Sequence, residues 1–143
     1  MNKRILILNG PNLNLLGTRE PQVYGNTTFD DFFNTLKTTY PNVAFTYHQS
    51  NVEGELINAL HNAINAVDAV LINPGGYSHT SVAIADAISA IALPVLEIHI
   101  SNIHAREDYR HHTLTGSKCI GVISGLGLKG YALGVEYLLH LES

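Results

Sequence analysis

Ala69-Val70-Leu71-Ile72-Asn73-Pro74-Gly75-Gly76-Tyr77-Ser78-His79-Thr80-Ser81 is an apolar run of strand length that stops at an asparagine, a proline and two glycines. Val82, Ala85, Ile88 and Ile91 then recur at helical spacing. A short run rich in Val, Ile and Leu is what a strand covered on both faces looks like. Four more runs of this kind fall at residues 4–9, 43–48, 95–100 and 119–124.

Helical stripes separate most of them. Phe29, Phe32, Phe33, Leu36 and Tyr40 follow Thr27 and Thr28, which are suited to capping. Leu56, Ile57, Leu60, Ile64 and Val67 follow Ser50, with Glu53 completing the spacing of a capping box. Leu128, Tyr131, Ala132, Val135, Leu138 and Leu139 form the last stripe. Five strands alternating with helices predict an α/β fold, a flavodoxin-like three-layer sandwich with a five-stranded parallel sheet in the order 2-1-3-4-5. The chain is expected to form one domain over residues 1–143. Residues 10–26 show no convincing helix or strand pattern. Connections in such folds usually run ~2–6 residues, so a long loop there reads as a lid or binding loop, or as an incidental surface excursion.

With 45% hydrophobic residues, the 143-residue chain is long enough to bury a good core. A formal charge of -4 gives no basic field for nucleic acid. No apolar run approaches the ~20 residues needed to span a bilayer. Ile5-Leu6-Ile7-Leu8 is too short for a signal-peptide core, which makes a cytoplasmic location the simplest expectation. The single cysteine, Cys119, excludes an internal disulfide and reads as a buried thiol in the fifth strand.

In this architecture ligands bind beyond the carboxyl ends of the strands. Asn9, Asn12, Gln49, Ser50, Asn73, Glu97, His99 and Ser101 collect there. Glu97 and His99 are two apart on a strand, so their side chains leave the same face. A carboxylate beside an imidazole fixes its tautomer and makes a serviceable general acid; the same pair also serves as a satisfied structural contact. Tyr24 shares a short polar loop with Arg19. Making a phenolate of a phenol that titrates near ~10 by lowering it roughly three units takes about 4 kcal/mol. One cation at ~4 Å in an effective dielectric near 20 supplies about that much before desolvation opposes it. A second cation would help, and Arg106 or Arg110 stands on the loop after the fourth strand. The Gly75-Gly76 pair permits close backbone approach but has neither dinucleotide nor phosphate-loop spacing. Eight histidines raise a metal reading, yet no His-Glu-x-x-His pattern occurs, and hydrogen-bonding histidines explain them better.

Taken together, Asn9-Gly10-Pro11-Asn12-Leu13-Asn14-Leu15-Leu16-Gly17, Arg19-Glu20-Pro21 and Tyr24-Gly25 resemble the opening of type II 3-dehydroquinate dehydratases. The Asn73-to-Ser81 loop, the stretch from Glu97 to Arg110 and Gly125-Leu126-Gly127-Leu128-Lys129-Gly130-Tyr131 resemble later signatures of that family in the same order. The resemblance implies a cofactor-free trans dehydration of 3-dehydroquinate to 3-dehydroshikimate through an enolate, in aromatic amino acid biosynthesis by the shikimate pathway or in quinate breakdown. It implies Tyr24 as the base, Arg19 as its charge-stabilising partner, His99 as the acid and Glu97 as the group that orients it. Asn12 matches the residue that holds a water near the enolate, and Arg106 a second arginine near the tyrosine. Asn73, His79, Ile100, Ser101 and Arg110 match substrate-binding positions. Asp86 matches a residue contributed across a subunit interface, in a homododecamer of four trimers. Gly76, Ser78 and Ala85 stand where relatives often carry alanine, threonine and arginine; the last bears on the interface contact and not on the chemistry.

No lysine lies at a strand end in these motifs, which argues against a Schiff-base route. The strongest rival is a flavodoxin-like ligand-binding module that senses a small carboxylate without catalysis. A response-regulator receiver would need clustered acids where Asn9 and Gly10 stand, and a flavin carrier a hydroxyl-rich phosphate loop.

Overall fold

The computed structural model describes residues 2–17 and 27–141. The described strands are β1 Arg4–Asn9, β2 Ala44–Gln49, β3 Ala69–Asn73, β4 Val95–His99 and β5 Gly121–Ser124, all parallel and ordered β2-β1-β3-β4-β5. The α-helices among the described residues are α1 Phe29–Thr39, α2 Glu53–Ala63, α3 Val82–Ile91 and α4 Lys129–Leu139. Short 3-10 turns punctuate the carboxyl side of the sheet, at Leu13–Leu15 in the first long loop and at Gly75–His79 after β3.

Alternation along each strand sends neighbouring side chains to opposite faces, so a fully apolar strand needs a cover on each. Ile5, Ile7, Leu71, Leu96 and Ile98 pack with Phe29 and Leu36 of α1 and Tyr131, Val135 and Leu138 of α4. Leu6, Leu8, Val70, Ile72 and Val95 pack instead with Leu56 and Leu60 of α2 and Ile84, Ile88 and Ile91 of α3. These two half-cores are the sandwich that the apolar runs predicted.

Sequence reading and structure part at some boundaries. The fifth strand begins at Gly121 rather than residue 119, because a 3-10 turn at Gly116–Lys118 takes up the preceding chain and pairing starts only with Ile120 N–H donating to the Val95 carbonyl, 2.8 Å. Cys119 is therefore half-buried outside the strand, and burial with the nearby Glu97 charge pushes its thiol up to about 12. The capping box of Ser50 and Glu53 does not form. The helix starts at Glu53, so Ser50 lies two residues before the Val52 cap; its hydroxyl receives Val52 N–H at 2.9 Å and donates to Glu55. Glu53 reaches across to accept from Ser81 Oγ, 2.6 Å away. Thr28 does cap α1, accepting from Asp31 N–H at 3.1 Å, and Ser81 caps α3, accepting from Ile84 N–H at 2.9 Å.

The strand order reverses between β1 and β3, the place where an open sheet of this kind leaves a crevice. Asn9 and Asn73 are register partners there, and Gly10 N–H donates to the Asn73 carbonyl at 2.7 Å. A Cβ on Gly10 would lie 2.4 Å from the Pro74 carbonyl oxygen, a backbone atom with no rotamer to escape into. Below the crevice, the fully buried Tyr131 hydroxyl donates to Asn9 Oδ1 at 2.7 Å and accepts from Asn73 Nδ2 at 3.0 Å. That contact ties both strand ends to α4.

Gly10→Ala is expected to cost about 1–3 kcal/mol in urea unfolding, since overpacking meets backbone. Gly54, with nothing within 4 Å of a Cβ, is the control: Gly54→Ala should gain about 0.4–1 kcal/mol by restricting the unfolded chain. Equal stabilities for the two variants would contradict the close approach at Gly10.

Candidate active site

The crevice opens into a cleft of about 140 Å³ lined by Asn12, Asn73, His79, His99, Ile100, Ser101, Arg106 and Arg110, with Pro11, Leu13, Leu15, Leu16, Gly75, Gly76 and Ile103 completing its wall. The polar groups reach it from three carboxyl-end connections. Asn12 enters from the loop after β1 in the left-handed region, φ 72°, a conformation asparagine tolerates better than most residues. Asn73 and His79 come from the end of β3 and its 3-10 turn, and His99 to Arg110 from β4 and the loop beyond it.

Glu97 lies directly behind His99. Its side chain has no exposed surface, and Oε2 accepts from His99 Nε2 at 2.7 Å. Thr113 Oγ1 donates to the same oxygen at 2.7 Å, and Thr115 Oγ1 to Oε1. With Nε2 committed to the carboxylate, Nδ1 is the nitrogen of His99 left to exchange a proton with a ligand. His79 is tethered the opposite way: its Nδ1 lies 2.8 Å from the His112 carbonyl, which can only accept. Nε2 of a neutral His79 therefore carries a lone pair. Burial lowers the His79 pKa; the nearby His99 and Arg110 add to this, against the opposing pull of the His112 carbonyl and Glu97. The two rings stack, centroids 6.2 Å apart.

The far wall is cationic but tethered. Arg110 Nε donates to Glu107 Oε2 at 2.7 Å, and Arg106 Nη1 to Ser101 Oγ at 3.4 Å. A backbone hydrogen bond at Glu107 itself and the Arg110 guanidinium hold the Glu107 carboxyl below its ordinary range. The root of the first loop is held as well. Asn12 N–H donates to Asn51 Oδ1 at 3.0 Å, and Gln49 Nε2 donates to both Asn51 Oδ1, 3.2 Å, and the Gly10 carbonyl, 3.1 Å.

Two guanidinium groups, two oppositely tethered imidazoles and two strand-end asparagine loops suit a small polyhydroxylated carboxylate. The family model described as Dehydroquinase class II matches residues 3–139. The chain belongs to the class II dehydroquinases. A 3-dehydroquinate dehydratase from Exiguobacterium sp. is 54% identical over 138 residues, covering 96% of this chain and 94% of that protein. A catabolic 3-dehydroquinase from Verticillium alfalfae is 52% identical over 139 residues, covering 96% and 93%. Among solved structures, a type II dehydroquinase from Butyrivibrio crossotus aligns with a TM-score of 0.93 at 40% identity, covering 96% of this chain and 98% of that one.

Among the residues expected from sequence in this class II dehydroquinase, the structure gathers Asn12, Asn73, His79, His99, Ile100, Ser101, Arg106 and Arg110 around one cleft, with Glu97 behind His99. Asp86 is not among them. It lies on the exposed face of α3, away from the cleft of its own chain. Arg19, Tyr24 and most of the expected lid lie outside the described residues. Sequence reading missed Thr113, Thr115 and Asn51, which sit in irregular segments where no periodicity marks a contact; the polar cluster Gln49-Ser50-Asn51 at a strand end was the one available signal.

Because burial lowers the His79 pKa, its NMR titration midpoint should fall below the ordinary ~6.5 of a free imidazole. The folded state then binds fewer protons than the unfolded one, so this residue's contribution to stability is full above ~6.5 and is lost as pH falls through the folded midpoint. A midpoint at or above the free value would refute the neutral assignment.

Proposed function

We propose that this chain dehydrates 3-dehydroquinate to 3-dehydroshikimate by trans elimination of water through an enolate, with side chains alone supplying the chemistry. Family membership carries the reaction. The observation that carries the chemistry is the buried Glu97–His99 pair, 2.7 Å apart, at the edge of a cleft with two arginines.

The substrate is a β-hydroxy ketone whose most acidic C–H is alpha to the carbonyl. In this reading Tyr24, ionised by Arg19 and Arg106, removes that proton. Charge moves onto the carbonyl oxygen, where Asn12 and a water it holds stabilise the enolate; donors fixed beforehand are worth more in such a site than mobile solvent. Collapse of the enolate expels the hydroxyl, to which the His99 imidazolium gives its Nδ1 proton, returning to the neutral ring with its remaining proton on Nε2 toward Glu97. Base and acid come from separate loops and act on opposite faces of the ring, as trans elimination requires.

Binding follows from the cleft. The backbone at Ile100 and Ser101 meets the substrate carboxylate. Asn73, His79 and Arg110 hold the ring hydroxyls, with the neutral His79 accepting one hydroxyl proton at Nε2. Asp86 serves the site of an adjoining subunit, which fits its place on the exposed face of α3, in a dodecamer of four trimers. The proposed unit is one catalytic domain with its lid at residues 10–26, working in the cytoplasm. No helix among the described residues is long and apolar enough to cross a membrane. Both aromatic biosynthesis and quinate breakdown are served by this conversion.

Purified protein given 3-dehydroquinate should generate the absorbance of the conjugated product. His99→Ala should lower kcat by about 100-fold or more, in the range that general acid–base groups contribute. Tyr24→Phe should lose most turnover and still bind substrate. Near-normal rates in either variant would remove that residue from its role. Borohydride added with substrate should leave activity intact; a covalent lysine adduct would overturn the enolate route.

A further inference from the structure

Both imidazoles of the cleft are steered by one short piece of irregular chain. The His112 carbonyl receives His79 Nδ1 at 2.8 Å, while the Thr113 and Thr115 hydroxyls close on the carboxylate that orients His99. Glu97 and Thr115 have no exposed surface at all. A hydroxyl has a single proton to give. Thr113 spends it on Glu97 Oε2 at 2.7 Å, a much closer acceptor than the Ser78 carbonyl at 3.4 Å, and receives Gly116 N–H at 3.0 Å in return. Three donors thus converge on two carboxylate oxygens, leaving Oε2 shared between Thr113 and His99.

The segment is itself anchored. Leu114 N–H donates to the Ser78 carbonyl at 2.7 Å, tying it to the turn that carries His79. A Cβ on Gly116 would come within 2.5 Å of Thr113 Cγ2 and 3.0 Å of Glu97 Oε2, so the chain closes around the carboxylate as tightly as glycine allows. The carboxylate cannot turn away from His99 without breaking a threonine contact.

We propose that residues 112–115 form a positioning brace that sets the tautomers of both cleft histidines, and that Thr113 and Thr115 act on the reaction through Glu97 by holding His99 with its proton on Nε2 and its Nδ1 toward the ligand. The catalytic part rests on His99 being the acid; the tautomer part does not.

The experiment compares Thr115→Val with Thr115→Ser, and Thr113→Val with Thr113→Ser. Each is measured by steady-state turnover of 3-dehydroquinate and by imidazole 15N NMR of the ligand-free enzyme, with the His99 signals assigned by their loss in His99→Ala. Valine keeps the shape and removes the donor; serine returns it. For Thr115→Val, kcat should fall about ten-fold or more with KM within about two-fold, and the His99 spectrum should move from one Nε2–H tautomer to a mixture. Thr115→Ser should recover both readouts. Thr113→Val, at a half-buried position, is expected to do the same in smaller measure and carries the test should Thr115→Val not fold.

An unchanged His99 tautomer in the valine variants, or serine variants as impaired as the valine ones, would overturn the brace. If His99→Ala kept full turnover, the acid assignment would fall, while the NMR comparison would still decide whether the threonines set the ring.

Discussion

An ionisable side chain with no exposed surface, seated within a parallel sheet, is the constraint around which this molecule is arranged. Moving a carboxylate out of water costs several kcal/mol even after relaxation, unless its oxygens are used by well-placed donors. Glu97 meets that requirement with an imidazole and two threonine hydroxyls. Those partners come from β4 itself and from the irregular chain before β5. The polar centre therefore holds together elements that the apolar half-cores alone would leave loosely related. It also explains why a segment without regular secondary structure is so closely packed: its hydroxyls answer a charge that the sheet has buried.

The sheet topology puts this centre where a ligand can reach it. With the connections after β1 and β3 leaving toward opposite edges of the sheet, the loops beyond these paired strand ends separate and admit a small molecule between them. Gly10 and the Asn73 carbonyl close the floor of that gap, and Tyr131 fastens it from beneath. Rigidity there matters more than elsewhere, because preorganised dipoles act only if they do not relax when charge appears. Asn12 is served in the same way by Asn51 and Gln49, which hold the root of its loop.

How much of this could be read from the chain follows from what periodicity reports. Runs such as Ile5-Leu6-Ile7-Leu8 and Ala69-Val70-Leu71-Ile72 are buried on both faces, and both strands fell where their patterns placed them. Strand order and the carboxyl-end cleft followed from architecture, and the Glu97–His99 contact from a spacing of two on a strand. Legibility failed where tertiary contacts outrank local pattern. Ser50 and Glu53 had capping-box spacing, but Glu53 is drawn to Ser81 on another helix, and α2 begins later than the box would have it. Cys119 followed an apolar pattern into a strand that a preceding turn displaced. Thr113 and Thr115 carry no pattern, because their role is defined by Glu97, sixteen or more positions away. The roles of Tyr24 and Asp86 came from family likeness, since neither spacing nor burial singles out a lone phenol or an exposed acid.

The contrary tethering of the two histidines has a practical meaning for anyone designing an inhibitor. One ring is held by Nδ1 and the other by Nε2, so two side chains of the same chemical type present different ring nitrogens across a few ångströms. Toward two neutral rings so held, a compound that fits should extend one O–H or N–H to Nε2 at position 79 and another to Nδ1 at position 99. Reversing that polarity on the same carbon skeleton would turn two attractions into two mismatches with no change in shape.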